Sequence, residues 1–514
     1  MAEPTTNGGW TRWADIAYCL AVALALRLYQ LSTLPGEWYS DISAVQQRVA
    51  QILAGEWPYR FNSAQGPLYH YLVAPLVLLL GHSYATYKLL SVLTSLAVIA
   101  LTMLVAYDMA GRPLALLVGF VSAVGSALLI FSRLGDYLLI IPLLTVGMVY
   151  GVTRFARHNS ARAALAASVV ATLGLFAAPH TTLLPPLCLL LLLLYLQRPW
   201  RDHVWYIVYA LLPMALGGAV FAWIVLNNQD NFRTGYLGAK LFGAGGLDWP
   251  TFLQVFLRNL GKTALMYHVT GDHVFRSNTP FQPHLDPVSG VFMLVGLVGL
   301  ALRPLRRYAP LVLLPLVSLA LPSAWPGIVD IEVPSASRTI TSLPFAYLLV
   351  AVGLWTFDRL LRRRVPVWLS RSVLAVVLVA LLALNYERYF VAYASHLPAH
   401  NTPFGRLIAL DIQRQPPGSQ IFVLGCCWDE WDMPEREAVQ YALAGLPPIV
   451  FVWEPREVCE GARGRPGPVA VYLDPNNPEQ RDEVAACLPG GQVETLIGPY
   501  GHYVYLRYTV DRGR

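Results

Sequence analysis

The chain has 514 residues, of which 55% are hydrophobic and 13% charged, with a formal net charge of +6. Many apolar runs reach the roughly 18–20 residues that cross a bilayer, which places it in the polytopic helical membrane class and excludes a soluble globular protein. Because many of the arginines fall in short loops between these runs, they report orientation and call for no nucleic acid partner.

In chain order, Arg12 precedes an apolar run at Ala14 to Leu31 with no small-residue cleavage site after it, so we read an uncleaved first span. Further spans are predicted near 84–107, 113–131, 137–156, 161–178, 180–197, 203–226, 288–304, 308–323, 338–357 and 367–389, which makes eleven. Pro67 to Leu80, at about fourteen residues, is shorter than the roughly 20 of a crossing and is read as re-entrant or interfacial. With the N-terminus inside, Arg112, Arg154, Arg157, Arg162, Arg198, Arg201, Arg303, Arg306, Arg307 and the cluster from Arg359 to Arg371 all fall in cytoplasmic loops. The same parity places the loops 32–83 and 227–287, the Ser132 to Asp136 turn, Pro322 to Ser337 and everything after Tyr389 outside.

Trp249 to Tyr267 spaces its apolar residues at helical intervals with Arg258 and Lys262 between them, as an interfacial helix does. From 390 onward the long apolar runs end. A helical stretch, Pro403 to Arg414, and short strand-like runs at 421, 448, 468 and 502 predict a small α/β domain at 390–514, outside the membrane, after a membrane module at 1–389. Cys426, Cys427, Cys459 and Cys487 share this domain. A bond between the adjacent Cys426 and Cys427 is geometrically poor, which leaves Cys459 and Cys487 as partners, and zinc is the weaker reading because paired CxxC units are missing.

The first candidate site is the polar stretch Leu34 to Leu72, which carries Glu37, Asp41, Glu56, Arg60, Tyr69 and His70 beside apolar spans. Asp41 precedes Ile42, Val45, Val49, Ile52 and Leu53 at intervals of three and four, so it opens a helix, and capping is its ordinary role there. At a membrane surface among aromatics, such an acid is also placed to deprotonate an acceptor hydroxyl or to hold a cation. A second site is the outer turn Ser132-Arg133-Leu134-Gly135-Asp136, where a planar guanidinium matches phosphate oxygens and Asp136 orients it or joins Asp41. Arg338, opening a span on the outer side behind Ser335 and Ser337, is a third, anion-binding candidate. For both arginines the alternative is a charge snorkelling at a helix end. No P-loop, GxSxG elbow or HExxH is present, and the span interiors hold few acids, which disfavours a pump or channel.

The acid before an amphipathic helix, Gly55-Glu56-Trp57-Pro58, Gly66-Pro67-Leu68-Tyr69-His70-Tyr71-Leu72, the Ser132-Arg133-Leu134-Gly135-Asp136 turn and Leu285-Asp286-Pro287 together resemble the polyprenyl-phosphate-sugar-dependent glycosyltransferases of the GT-C superfamily. The nearest look is to family 39, the relatives of protein O-mannosyltransferase and lipid A aminoarabinose transferase. The resemblance implies a multi-pass protein of the plasma (inner) membrane that transfers a sugar, with inversion, from a polyprenyl-phosphate donor to an acceptor glycan, lipid or protein at the outer face. It makes Asp41 and Asp136 the catalytic residues, Asp41 as the base or metal-binding acid that activates the acceptor, and both of them the ligands of a divalent metal if one is used. Arg133, Arg338, Arg60, Tyr69, His70 and Glu37 become substrate-binding residues. The family usually has Asp-Glu where this chain has Asp41-Ile42, so Asp41 stands without a second acid. The competing readings are a non-catalytic carrier or binder of polyprenyl phosphates, and an envelope-binding tail anchored by the spans.

Overall fold

The computed structural model describes residues 8–39, 44–57, 66–197, 200–227, 247–327, 330–425, 436–443, 445–463 and 466–512. Asp41, Arg60, Cys426 and Cys427 lie outside the described residues. The chain divides into two compact units that interleave in sequence. One comprises Met1–Tyr29, Trp57–Leu72 and Leu90–Tyr393, the other Gln30–Glu56, Val73–Leu89 and Ala394–Arg514.

The first unit is helical. Among the described residues, six helices are long and apolar enough to cross a membrane: Tyr84–Ala110, Tyr137–His158, Val204–Asn227, Leu305–Ala324, Ala336–Leu361 and Val367–His396. Leu68–Leu80, Arg112–Val124, Ala161–Phe176, Pro179–Leu194 and Pro287–Ala301 are apolar but shorter. The first helix, Gly8–Leu28, carries Arg12, Asp15 and Arg27 along an otherwise apolar sequence. The multi-pass character therefore stands on these six helices, while the count of eleven does not follow from length and composition.

Two helices meet backbone to backbone. A Cβ on Gly296 would lie 1.9 Å from the Leu349 carbonyl oxygen, and one on Gly353 would lie 1.9 Å from that of Phe292. Pro287–Ala301 and Leu343–Leu361 thus approach through small residues, the contact that replaces hydrophobic driving force where the surroundings are as apolar as the helix. The apolar run read as one span near 113–131 is instead two helices, Arg112–Val124 and Ser126–Phe131, broken at Gly125. The last long helix also departs from expectation. It runs on past Tyr389 through a π-helical stretch, Glu387–Tyr393, which turns Tyr389 and Tyr393 inward.

The second unit contains a five-stranded sheet. Its strands are β1 (Gln420–Leu424), β2 (Ile449–Val452), β3 (Gly467–Leu473), β4 (Gln492–Ile497) and β5 (Tyr503–Arg512), in the order β2-β1-β3-β5-β4. The pairs β1/β2 and β1/β3 are parallel, whereas β3/β5 and β4/β5 are antiparallel. Alternation along the strands builds both faces. Phe422, Leu424, Val469, Val471 and Leu473 pack with Val458 and Val484 on one side. Ile421, Val423, Ala470 and Tyr472 pack with Phe404, Ile408 and Ile412 on the other. The expected α/β domain is therefore a helix–sheet–helix sandwich.

Cys459 and Cys487 form a disulfide, Cα–Cα 5.8 Å, joining helix Pro455–Ala462 to helix Pro478–Cys487 across 28 residues of sequence. Closing a loop of that length in the unfolded chain stabilises by about 3.5 kcal/mol. Replacing both cysteines by serine is expected to speed amide exchange of the buried strand β3 by about two orders of magnitude if this unit unfolds as a whole. Unchanged exchange would show that the bridge adds nothing to the sandwich.

Candidate functional site

The Ser132–Asp136 turn follows the short helix Ser126–Phe131, and its two charged side chains are both buried. Arg133 is 0% exposed. It donates from Nη1 to the Leu26 carbonyl oxygen at 2.9 Å, and its guanidinium carbon lies 5.1 Å from the Tyr389 ring centroid and 5.2 Å from that of Phe390. Cation–π contact of this kind compensates part of the lost hydration of the charge. Asp136 caps the turn Tyr137–Leu139, its carboxylate accepting from the Tyr137 N–H at 2.5 Å, while its carbonyl accepts from Ser91 Oγ at 3.2 Å. The buried Tyr69 hydroxyl stands beside Ser91, within electrostatic reach of Asp136.

Gly66, three residues before Tyr69, makes a further contact within the same unit. The Gly66 N–H donates to the Ala177 carbonyl at 2.9 Å, and a Cβ on Gly66 would sit 2.2 Å from the Phe176 carbonyl oxygen, so only glycine fits at that crossing. Three residues beyond Ala177, His180 lies within electrostatic reach of Arg338. Arg338 donates from Nη2 to Glu332 Oε2, and its side chain is 11% exposed. The fold thus brings Asp136 and Tyr69 together at Ser91, and sets Arg338 near His180. His70, next to Tyr69, is also buried.

Asp272 is a further buried acid of this region, and its sequence context does not mark it as a site residue. It is 1% exposed, and its carboxylate accepts from the N–H groups of Val274 at 2.8 Å and Ala336 at 2.7 Å, tying the loop after helix Trp249–Leu265 to the start of the Arg338 segment. Burial raises its affinity for a proton, and those two N–H donors work against that. Nothing in local composition marks an acid that ties segments 64 residues apart.

Glu37, read as a substrate contact, sits in the second unit, where backbone donors engage its carboxylate. Its carboxylate accepts from the Trp38 N–H at 2.9 Å and from the Gly405 N–H, near the start of helix Phe404–Gln413, where a negative charge is favoured. Lys88, in the same unit, donates to the carbonyls of Leu31 and Pro35, each at 2.6 Å, and holds the segment that bears Glu37. Among the described residues no group of three or more His, Cys, Asp or Glu side chains could hold a metal ion. Of the suggested pair, Asp136 has one carboxylate oxygen engaged by Tyr137, and Asp41 is not among those residues.

His284 supplies a pH test. Burial, with Arg388 adding to it, pushes its pKa down to about 4, and its Nε2 accepts from the Asp272 N–H at 3.3 Å, which requires the neutral ring. The unfolded chain therefore binds more protons than the folded one between about pH 6.5 and 4, so stability falls as pH falls through that window. The full effect is on the order of 3 kcal/mol. Asp272, with its raised pKa, contributes with the opposite sign. The expected result is that His284→Asn flattens the acid limb of the melting temperature against pH. An unchanged slope would remove the histidine from the account.

No protein-family model matches the chain, and no curated protein matches it significantly in sequence. In structure it is similar to ArnT from Cupriavidus metallidurans bound to undecaprenyl phosphate, at 12% identity and TM-score 0.58, over 96% of this chain and 97% of that one. The apo state of that protein is similar at 12% identity and TM-score 0.56, over 97% and 98% of the two chains. The arabinofuranosyltransferase AftD from mycobacteria is similar at 17% identity and TM-score 0.50, over 98% of this chain but 40% of that one. These proteins are GT-C glycosyltransferases, and the chain has their fold.

Proposed function

We propose that the protein is a membrane glycosyltransferase that transfers a sugar from a polyprenyl-phosphate donor to an acceptor glycan, lipid or protein at the outer face of the plasma (inner) membrane. The observation that carries the proposal is the likeness, along nearly the whole of both chains, to a protein described with undecaprenyl phosphate bound. In this reading the N-terminus is cytoplasmic and the sandwich unit is extracytoplasmic, which its disulfide favours.

Asp41 takes the proton of the acceptor hydroxyl, whose oxygen attacks the anomeric carbon from the face opposite the phosphate. The bond to the phosphate oxygen breaks as the new glycosidic bond forms, and the polyprenyl phosphate departs with one more negative charge than it carried as a diester. Arg338, on the partly exposed side, meets that charge directly. Arg133, buried behind Tyr389 and Phe390, acts through its field, which a low-dielectric surrounding sustains.

Binding of polyprenyl phosphate to the intact protein in detergent, followed by native mass spectrometry, tests the donor assignment. Wild type is expected to bind, and Arg338→Gln to bind at least about tenfold more weakly, the effect of losing one charge-assisted hydrogen bond. Absence of binding by wild type, or equal binding by the variant, would remove the polyprenyl-phosphate donor or this residue's part in holding it.

A further inference from the structure

The break at Gly125 leaves polar backbone groups open inside an apolar unit, and the structure fills them with side chains from elsewhere. Helix Arg112–Val124 ends with carbonyls that have no partner further along its own axis. Arg27, 0% exposed in the first helix, donates from Nη1 to Ala123 O at 3.0 Å, from Nη2 to Ser122 O at 3.3 Å and from Nε to Ser95 Oγ at 2.8 Å. A cation at a helix C-terminus meets the negative end of the helix dipole.

On the other side of the break, the first N–H groups of helix Ser126–Phe131 are taken in the same manner. Ser126 N–H donates to Asn385 Oδ1 at 2.8 Å, and Leu128 N–H to the Tyr347 hydroxyl at 3.3 Å. Asn385 is itself fixed, because its Nδ2 donates to Asp286 Oδ2 at 2.8 Å and to Leu381 O at 2.9 Å. A Cβ on Gly125 would lie 2.3 Å from the Tyr347 hydroxyl oxygen, so the break closes only around glycine.

We propose that Arg27 and Asn385 are positioning residues: they clamp the two sides of the break and thereby set where the Ser132–Asp136 turn sits. The lever is short and stiff. From Gly125 to Arg133 the chain climbs roughly 12 Å at the rise of a helix, so a tilt of about 10° at the break moves Arg133 by roughly 2 Å. Displacements of that size at groups that stabilise a transition state cost about a hundredfold in rate. The consequence for turnover rests on the transferase reading, whereas the clamp itself does not.

The intact protein in nanodiscs is examined by hydrogen–deuterium exchange and by turnover of polyprenyl-phosphate sugars, wild type beside Arg27→Gln and Asn385→Ala, with Arg27→Lys as the conservative variant. Exchange in 126–136 is expected to rise at least tenfold in both disruptive variants, with strand β3 unchanged. Their kcat is expected to fall at least tenfold at a KM within twofold of wild type, and Arg27→Lys to lie between. Should Arg27→Gln fail to fold, Asn385→Ala decides alone. Unchanged exchange in 126–136 overturns the clamp. Raised exchange with kcat intact overturns its positioning role. If wild type turns over no donor, the transferase reading is what has failed, and the exchange result still decides the clamp.

Discussion

Gly353→Ala is expected to cost about 3 kcal/mol of folding stability or more, the upper range for forcing a methyl group into a filled contact. The added Cβ would meet the Phe292 carbonyl oxygen at 1.9 Å and the Gly296 nitrogen at 3.1 Å, both of them backbone. A side chain can rotate out of the way, but a helix backbone yields only by moving the whole helix. The two helices also adjoin the candidate site: Pro287–Ala301 follows the loop that bears Asp272, and Leu343–Leu361 follows the segment that bears Arg338. Forcing them apart therefore pulls on the Asp272–Ala336 hydrogen bond as well. Gly218→Ala is the matched control, because nothing lies within 4 Å of the added atom, and it is expected to be neutral or stabilising by up to about 1 kcal/mol. The melting temperature in detergent reads both. Equal responses would mean that the close approach of the two helices does not hold the fold.

Much of this architecture is visible in the sequence, because apolar length and strand alternation are local. The membrane class, the amphipathic helix Trp249–Leu265 and four of the five strands follow from patterns within a few residues of each other. Strand β4, QVETLI, escapes that reading because it lies at the sheet edge, where five of its six residues are exposed and one is half-buried, and no hydrophobic alternation is demanded.

The break at Gly125 is hidden for a different reason. Its flanks, RPLALLVGFVSAV and SALLIF, are continuous in hydropathy, and what permits the break is a set of donors and acceptors from Arg27, Tyr347 and Asn385, which lie about a hundred residues or more away. Within the site, Arg133 and Asp136 could be paired by eye because one turn holds both. Asp272 and Arg338 could not, since tertiary contact brings their segments together. Glu37 shows another limit: its polar, aromatic-rich surroundings are visible in the sequence, but the hydrogen bond that its carboxylate accepts from the Gly405 N–H is not.

Asp41→Asn is expected to lower turnover by a factor of about a hundred to ten thousand, the range supplied by one positioned general base. Asparagine keeps the shape of the side chain and can still accept a hydrogen bond, so a capping role at the start of the amphipathic helix would survive the change. Proton abstraction would not, because the amide has no basic lone pair near neutral pH. The comparison thus separates the two readings of this residue by chemistry and not by folding. Purified wild-type protein and the variant are incubated in nanodiscs with a panel of radiolabelled polyprenyl-phosphate sugars and a broad acceptor extract, following release of polyprenyl phosphate and transfer of label, with binding of polyprenyl phosphate as the control. Wild type is expected to consume one donor, and the variant to bind the lipid phosphate equally well but to transfer sugar at least about a hundredfold more slowly. Equal turnover by the two proteins would contradict the role of Asp41, and donor binding without consumption by either would identify a carrier in place of a transferase.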